Sequence, residues 1–213
     1  MGKVIAVCTS DRKGLQKHDV NTAHFSAEWG IDGDAHAGNW HRQVSLLSAD
    51  KIEAFNKRGA NVIPGAFGEN LVVEGFDFRA LPVGTLLRCG DVLLEMTQIG
   101  KECHSHCEIY KKMGECIMPR EGVFARVIEP GSISVGDEMS IEKREGHFPW
   151  QAAVITLSDK AAAGERKDES GPAIAKRLRE AGYEVVEEVL IPDDERVLKQ
   201  QLMRLCDQRQ LDL

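Results

Sequence analysis

Cys103, Cys107 and Cys116 fall close together, spaced C-x3-C-x8-C, with His104 and His106 between the first two and Lys101, Lys111, Lys112 and Arg120 nearby. Thiolate is the reactive form of cysteine, and neighbouring cations lower a thiol's pKa. One reading therefore makes one of the three a nucleophile or sulfur carrier, with a second cysteine resolving a persulfide or mixed disulfide. In another reading the three thiols and a histidine bind zinc or an iron–sulfur cluster. The spacing matches neither the C-x2-C pairs of zinc knuckles nor a common ferredoxin pattern. In the third, a helix or loop simply contains cysteines. Cys8, Cys89 and Cys206 lie in apolar runs and are expected to be small core residues.

Other polar residues could complete an anion-friendly pocket. Trp29-Gly-Ile-Asp-Gly-Asp-Ala-His36-Ala-Gly38 packs three glycines around Asp32, Asp34 and His36. The aspartates suit turn hydrogen bonds, while His36 suits a metal ligand or a substrate donor. Arg42 can grip a phosphate through its planar fork or make a surface ion pair. Glu69 and Asn70 follow a Gly-rich turn that they pin, or from which they read a polar ligand. Lys101, His104 and Arg120 flank the cysteines. Further along, Ser158-Asp159 follows an apolar run, and Asp159 lies where open α/β sheets bind ligands, beyond the carboxyl end of a strand.

The elements that must position these residues change character along the chain. Residues 3–8, 44–47, 70–73, 84–88, 92–97, 122–129 and 138–142 read as short strands, bounded by Gly, Pro or Asp. One helix follows Ser48, which can cap it, and ends at Gly59. Many short strands with Gly-rich turns predict a mainly β fold, a closed or partly closed barrel with a few helices, over residues 1–144. Residues 145–150 read as a linker. Over residues 151–213 the pattern becomes β-α-β-α, with Ser170 and Asp193 as expected helix caps and Leu211-Asp212-Leu213 as the start of a third strand. Two strands and two helices cannot cover both faces of a parallel sheet, so this segment reads as an incomplete, truncated α/β domain.

The 213 residues are 42% hydrophobic, enough for an ordinary core, and carry a net charge of -7, which is no nucleic-acid footprint. No run approaches the roughly 18 apolar residues of a membrane span. The first residues lack the pattern of a signal peptide, so reduced thiols and a cytoplasmic location are expected.

The ordered motifs GIDGDAHAG (residues 30–38), RQVSLLS (42–48), FGENL (67–71), the hairpin at 84–97, Cys103 and SVGD (134–137) resemble the MOSC domain, the C-terminal domain of molybdenum cofactor sulfurases. AVITLSD (153–159) with DESGP (168–172) resembles the start of a molybdopterin adenylyltransferase. The resemblance implies a twisted β-barrel in which Cys103 carries sulfur as a persulfide or approaches the metal of a bound molybdenum (or tungsten) cofactor. Glu102 stands where the family often has proline, and Cys107 and Cys116 are additional to the simplest family pattern. Eukaryotic sulfurases also carry a pyridoxal-phosphate desulfurase domain, for which this chain has no room. A cysteine desulfurase is then the implied sulfur donor, and molybdenum or tungsten enzymes the acceptors. The family's Gly-Gly-Thr-Gly loop does not occur before Leu213, so no adenylyltransferase activity is expected. Two other functions fit the same residues: a molybdenum-dependent reductase of N-hydroxylated compounds, and a non-catalytic cofactor- or metal-binding module.

Overall fold

The computed structural model describes residues 1–101, 108–143 and 150–213. It divides into two compact units, Met1–Arg144 and Glu145–Leu213. Cys103, His104 and Cys107 lie outside the described residues.

The first unit contains β1 (Gly2–Thr9), β2 (His18–Asp19), β3 (Thr22–Ser26), β4 (Gly30–Ile31), β5 (Val44–Ser48), α1 (Ala49–Lys57), β6 (Leu71–Glu74), β7 (Leu86–Cys89), β8 (Val92–Ile99), α2 (Glu108–Met113), α3 (Met118–Glu121), β9 (Val123–Glu129), β10 (Gly131–Ser134) and β11 (Glu138–Glu142). Seven strands run β11-β7-β8-β9-β5-β6-β1, and β1 pairs back onto β11, so the sheet closes into a barrel. Closure removes the exposed edges that an open sheet would present. All its pairs are antiparallel except β5–β6. A parallel pair needs a crossover, and α1 lies in it.

The period-2 alternation of strand side chains builds two cores. Val44 and Leu46, Leu71 and Val73, Val92, Leu94 and Met96, and Val123, Ala125 and Val127 fill the barrel. Their alternates Leu47, Val72 and Phe124 face outward, where Ile52 and Phe55 of α1 and Ile117 and Met118 cover them. Strand β1 breaks the rule, because both Val4 and Val7 point inward. A register shift between Val4 and Ala6 supplies the extra residue that resets the phase. Strands β3, β4 and β10 form a separate small sheet whose Phe25, Ile31 and Ile133 join the barrel core.

The second unit contains β12 (Gln151–Leu157), α4 (Asp159–Ala162), α5 (Ser170–Glu180), β13 (Glu184–Ile191) and α6 (Glu195–Met203). β12 and β13 pair in parallel. The last residues also bond to β12: the Ala153 amide donates to the Leu213 carbonyl (2.9 Å), and the Asp212 amide to the Gln151 carbonyl (2.9 Å).

Several local expectations shift. Ser48 precedes α1, but its hydroxyl makes no cap bond and is buried. Asp168, two residues before the expected cap, takes the Ser170 and Gly171 amides (3.0 and 3.2 Å). Asp194 rather than Asp193 caps α6, accepting from the Val197 amide at 2.9 Å. A carboxylate reaches amides two or three residues ahead, so the start of the helix decides which acid is in range. Cys8 and Cys89 are buried, whereas Cys206 is exposed and is not a core residue. Among the described residues no helix is long and apolar enough to cross a membrane.

Candidate functional site at one end of the barrel

The site begins with a lysine that the sequence did not single out. Lys17 lies in a polar stretch yet is only 1% exposed. Its ammonium donates to Asp34, itself buried. The Lys17 amide also donates to the Gly65 carbonyl (3.1 Å). At Gly65, φ is +87°, and a Cβ there would lie 2.2 Å from the Lys17 carbonyl oxygen. Only glycine allows this approach. Three loops far apart in sequence, around residues 17, 34 and 65, are thus tied at one buried ion pair.

Asn70 extends the tie into the barrel. Its Oδ1 accepts from the Ser45 amide (3.1 Å) and hydroxyl (2.9 Å), and its Nδ2 donates to the Cys8 carbonyl (3.0 Å) and to Asp34 Oδ2 (2.7 Å). Glu69 is wholly buried, and its two oxygens accept from the Gly65 (2.7 Å) and Phe67 (3.0 Å) amides. Those bonds pin the turn. Burial pushes the Glu69 pKa up, against the pull of the amides. Burial also tends to raise Asp34, but hydrogen bonds from His36 and Lys17 outweigh it and hold the carboxyl well below the usual range. Burial lowers Lys17, and the bond to Asp34 offsets this only in part. Burial pushes the thiols of Cys8 and Cys89 up to about 12, so neither supplies a thiolate near neutrality.

From Asp34 the network reaches the surface. Asp34 Oδ1 accepts from the His36 amide (2.8 Å) and lies 3.3 Å from His36 Nδ1. The Trp40 indole donates to the His36 carbonyl (3.0 Å). Arg42 lies over the Trp40 ring at 4.8 Å and over Phe124 of β9 at 5.7 Å. The next residue, Gln43, accepts from the Val127 amide (2.8 Å), which fixes the loop to β9. His41 Nε2 meets Gln98 Oε1 at 2.9 Å, and Gln98 donates to the Gly100 carbonyl (2.7 Å). Thr97 donates to the His41 carbonyl. This series ties His41, the sequence neighbour of Arg42, to the Gly100 carbonyl, one residue before Lys101.

The structure therefore links Asn70 to His36 through Asp34 and His36 to Arg42 through Trp40, with Glu69 pinning the adjoining turn, while the Lys101 amide donates to the Pro119 carbonyl (3.3 Å). The Arg120 guanidinium turns to Glu115 (3.0 Å), which also pairs with Arg58, although the Arg120 backbone adjoins Gly100 and Lys101 through Pro119. Cys116 is half-buried against the apolar cluster under α1. Asp159 belongs to the second unit, where it opens α4 and accepts from the Asp193 amide (2.9 Å). Among the described residues no group of three His, Cys, Asp or Glu side chains is arranged to hold a metal. Sequence reasoning missed Lys17 and Trp40 and gave Asp34 only a turn role. Gly33 and Gly38 around Asp34 were the available signal; Lys17 had none.

The Arg42 guanidinium on the Trp40 ring suits an anionic ligand with a planar ring system. A phosphorylated pterin is one ligand of that chemistry.

Comparison with known proteins agrees with both units. Residues 32–140 match the MOSC domain, and residues 153–213 match the probable molybdopterin binding domain. A molybdopterin adenylyltransferase from Pyrococcus furiosus is 44% identical over 52 residues, 24% of this chain. The matched segment spans 30% of that relative's length. The YUAD protein from Bacillus subtilis has a similar fold, with TM-score 0.57 and 20% identity over 68% of this chain and 98% of that one. YiiM from Geobacillus stearothermophilus gives TM-score 0.53 and 17% identity over 68% of this chain and 76% of its own. The MOSC match covers just over half of the sequence, and the chain belongs to the MOSC domain family. The two matched domains connect it with the molybdenum cofactor.

Proposed function

We propose that the barrel unit receives the molybdenum cofactor, carrying molybdenum or tungsten, at the site that joins His36, Trp40 and Arg42, that Lys101 reaches into it, and that Cys103 carries sulfur for it as a persulfide. The observation that supports this most is the link from His41, next to Arg42 in sequence, through Gln98 to Gly100, because Cys103 follows Gly100 by three residues. Arg42 and Lys101 hold the phosphate of the pterin, and Trp40 offers a face to its ring. Asn70 and Glu69 keep the supporting loops in place.

In the loading step the Cys103 thiolate attacks the terminal sulfur of a donor persulfide on a cysteine desulfurase. The donor's S–S bond breaks, its thiolate leaves with the electron pair, and Cys103 gains one sulfur atom. Release needs two electrons. Attack of the Cys107 or Cys116 thiolate on Cys103 Sγ supplies them, forming a disulfide and freeing hydrosulfide for the cofactor. An external dithiol then restores the pair. Molybdenum and tungsten enzymes would receive the sulfurated cofactor.

The test is to incubate the protein with a cysteine desulfurase and cysteine, then map the added sulfur by mass spectrometry. One sulfur atom on Cys103, absent from Cys103→Ala, is expected. No gain at Cys103 in folded protein would overturn the carrier role. If native protein instead holds stoichiometric molybdenum and pterin and reduces N-hydroxylated compounds, the cofactor is resident and the chain is a reductase. Ligand binding lost in Cys103→Ala with no turnover of either kind would make it a binding module.

A further inference from the structure

The donors and acceptors around Asp34 can be assigned outward from the backbone, and they fix the state of His36. The Ser45 amide can only donate, so the Asn70 atom facing it is the carbonyl oxygen. The Asn70 amide nitrogen must then face the Cys8 carbonyl, which can only accept, and Asp34 Oδ2. Lys17 adds a second donor on Oδ2, and the His36 amide adds a donor on Oδ1. Every other partner of Asp34 in this network donates to it, as an ionised carboxylate requires. The ring atom His36 Nδ1, 3.3 Å from Oδ1, must therefore carry a hydrogen.

We infer that Asp34, anchored by Lys17 and Asn70, is a positioning residue that holds His36 as its Nδ1–H tautomer, with Nε2 as a bare acceptor, so that the ligand group facing His36 is a hydrogen-bond donor rather than a phosphate. This refines the reading of the barrel end as a cofactor site and rests on it. It also divides labour within the site. Phosphate belongs to the Arg42 and Lys101 side, whereas His36 meets an N–H, O–H or S–H of the ligand and can take its proton. Free imidazole prefers the opposite, Nε2–H tautomer, so the inferred state has to be imposed by the protein. The same carboxylate–imidazole pairing orients histidines that act as bases or metal ligands elsewhere.

The test uses the full chain labelled with 15N-histidine, read by long-range 1H–15N NMR at about pH 8.5, well above the ordinary histidine pKa of about 6.5. His36→Gln identifies the signal. A protonated Nδ1 and an unprotonated Nε2 are expected in the unmodified protein, a measurement that no variant's folding can confound. A protonated Nε2, in either the other tautomer or a persistent imidazolium, would overturn the inference. Lys17→Met with Asp34→Leu removes both buried charges together and so avoids stranding either one. In that double variant the Nε2–H tautomer should become the majority form, and retention of Nδ1–H would show that Asp34 does not set it. Binding of isolated molybdopterin, followed by pterin fluorescence, is measured in parallel. No binding with the expected tautomer defeats the cofactor-site reading alone; binding with the wrong tautomer defeats this inference alone.

Discussion

The two units solve the burial of polar groups in opposite ways. The barrel takes a lysine, two carboxylates and an asparagine out of water, bonding Lys17 and Asn70 to Asp34 and closing Glu69 on the buried Gly65 and Phe67 amides. The α/β unit keeps its acids near the surface and spends them on backbone amides: Asp168 on the start of α5, Asp194 on α6, Asp159 on the Asp193 amide. Its apolar side chains are also less covered, with Leu157, Ile174, Leu190, Leu202 and Met203 all exposed. A buried network is rigid and unforgiving, because each lost partner strands another group in a low-dielectric site. A surface cap contributes a local increment and nothing more. The difference teaches where precision is concentrated in this chain: at the barrel end that presents His36 and Arg42.

The largest expected effect breaks the barrel's ion pair. Lys17→Met strands the Asp34 charge and should cost about 3–5 kcal/mol in urea unfolding. Adding Asp34→Leu should recover much of that loss; a strictly additive double variant would mean that the pair is not coupled. Next comes Gly65→Ala. It forces a side chain into a positive-φ position against the Lys17 carbonyl, and a loss of about 1–3 kcal/mol is expected. Gly33→Ala is the control: it shares the strain of positive φ but meets no neighbouring atom. It should cost less. In the α/β unit, Asp168→Ala should cost about 1 kcal/mol. Hydrogen exchange should speed up at the α5 amides while the barrel amides are unchanged. Loss of protection in β5 or β8 would erase the contrast between the units.

The smallest effect is in the shape of the pH profile. Glu69 titrates above its ordinary 4.5, so between that value and its raised pKa the folded state binds more protons than the unfolded one. Stability then falls as pH rises through that window. Asp34 has the opposite sign. Its contribution is present above its ordinary 3.8 and is lost as pH falls below that. The urea midpoint should therefore peak on the acid side of neutrality. Glu69→Gln should flatten the alkaline side of the peak and keep the acid-side fall.

The seven barrel strands were legible because β-branched and apolar residues alternate with period 2 and turns bound them. Strands β2, β3, β4 and β10 were not. They are short, and in β3 and β10 mostly polar residues surround one buried Phe25 or Ile133, leaving too little periodicity to read. His36 could be picked out because it stands between Gly33 and Gly38, and Arg42 because a guanidinium opens a strand-like run. Lys17 could not. A lysine among Asp11, Arg12 and Lys13 looks solvated, and what buries it comes from residues 34 and 65. Helix caps failed by one or two residues for a related reason: cap chemistry was visible, but the first turn was set by packing.

The register that closes the barrel, Gly2 opposite Met139 and Lys3 opposite Glu138, places the first and last strands of the barrel side by side. Joining those ends would therefore need only a short tether with little entropy to lose. A circularly permuted barrel opened at the Gly90-Asp91 turn would keep every strand neighbour it has now. In topological terms the cut in this ring is movable, and adding sequence after the last barrel strand asks nothing of the pairing that holds the ring shut.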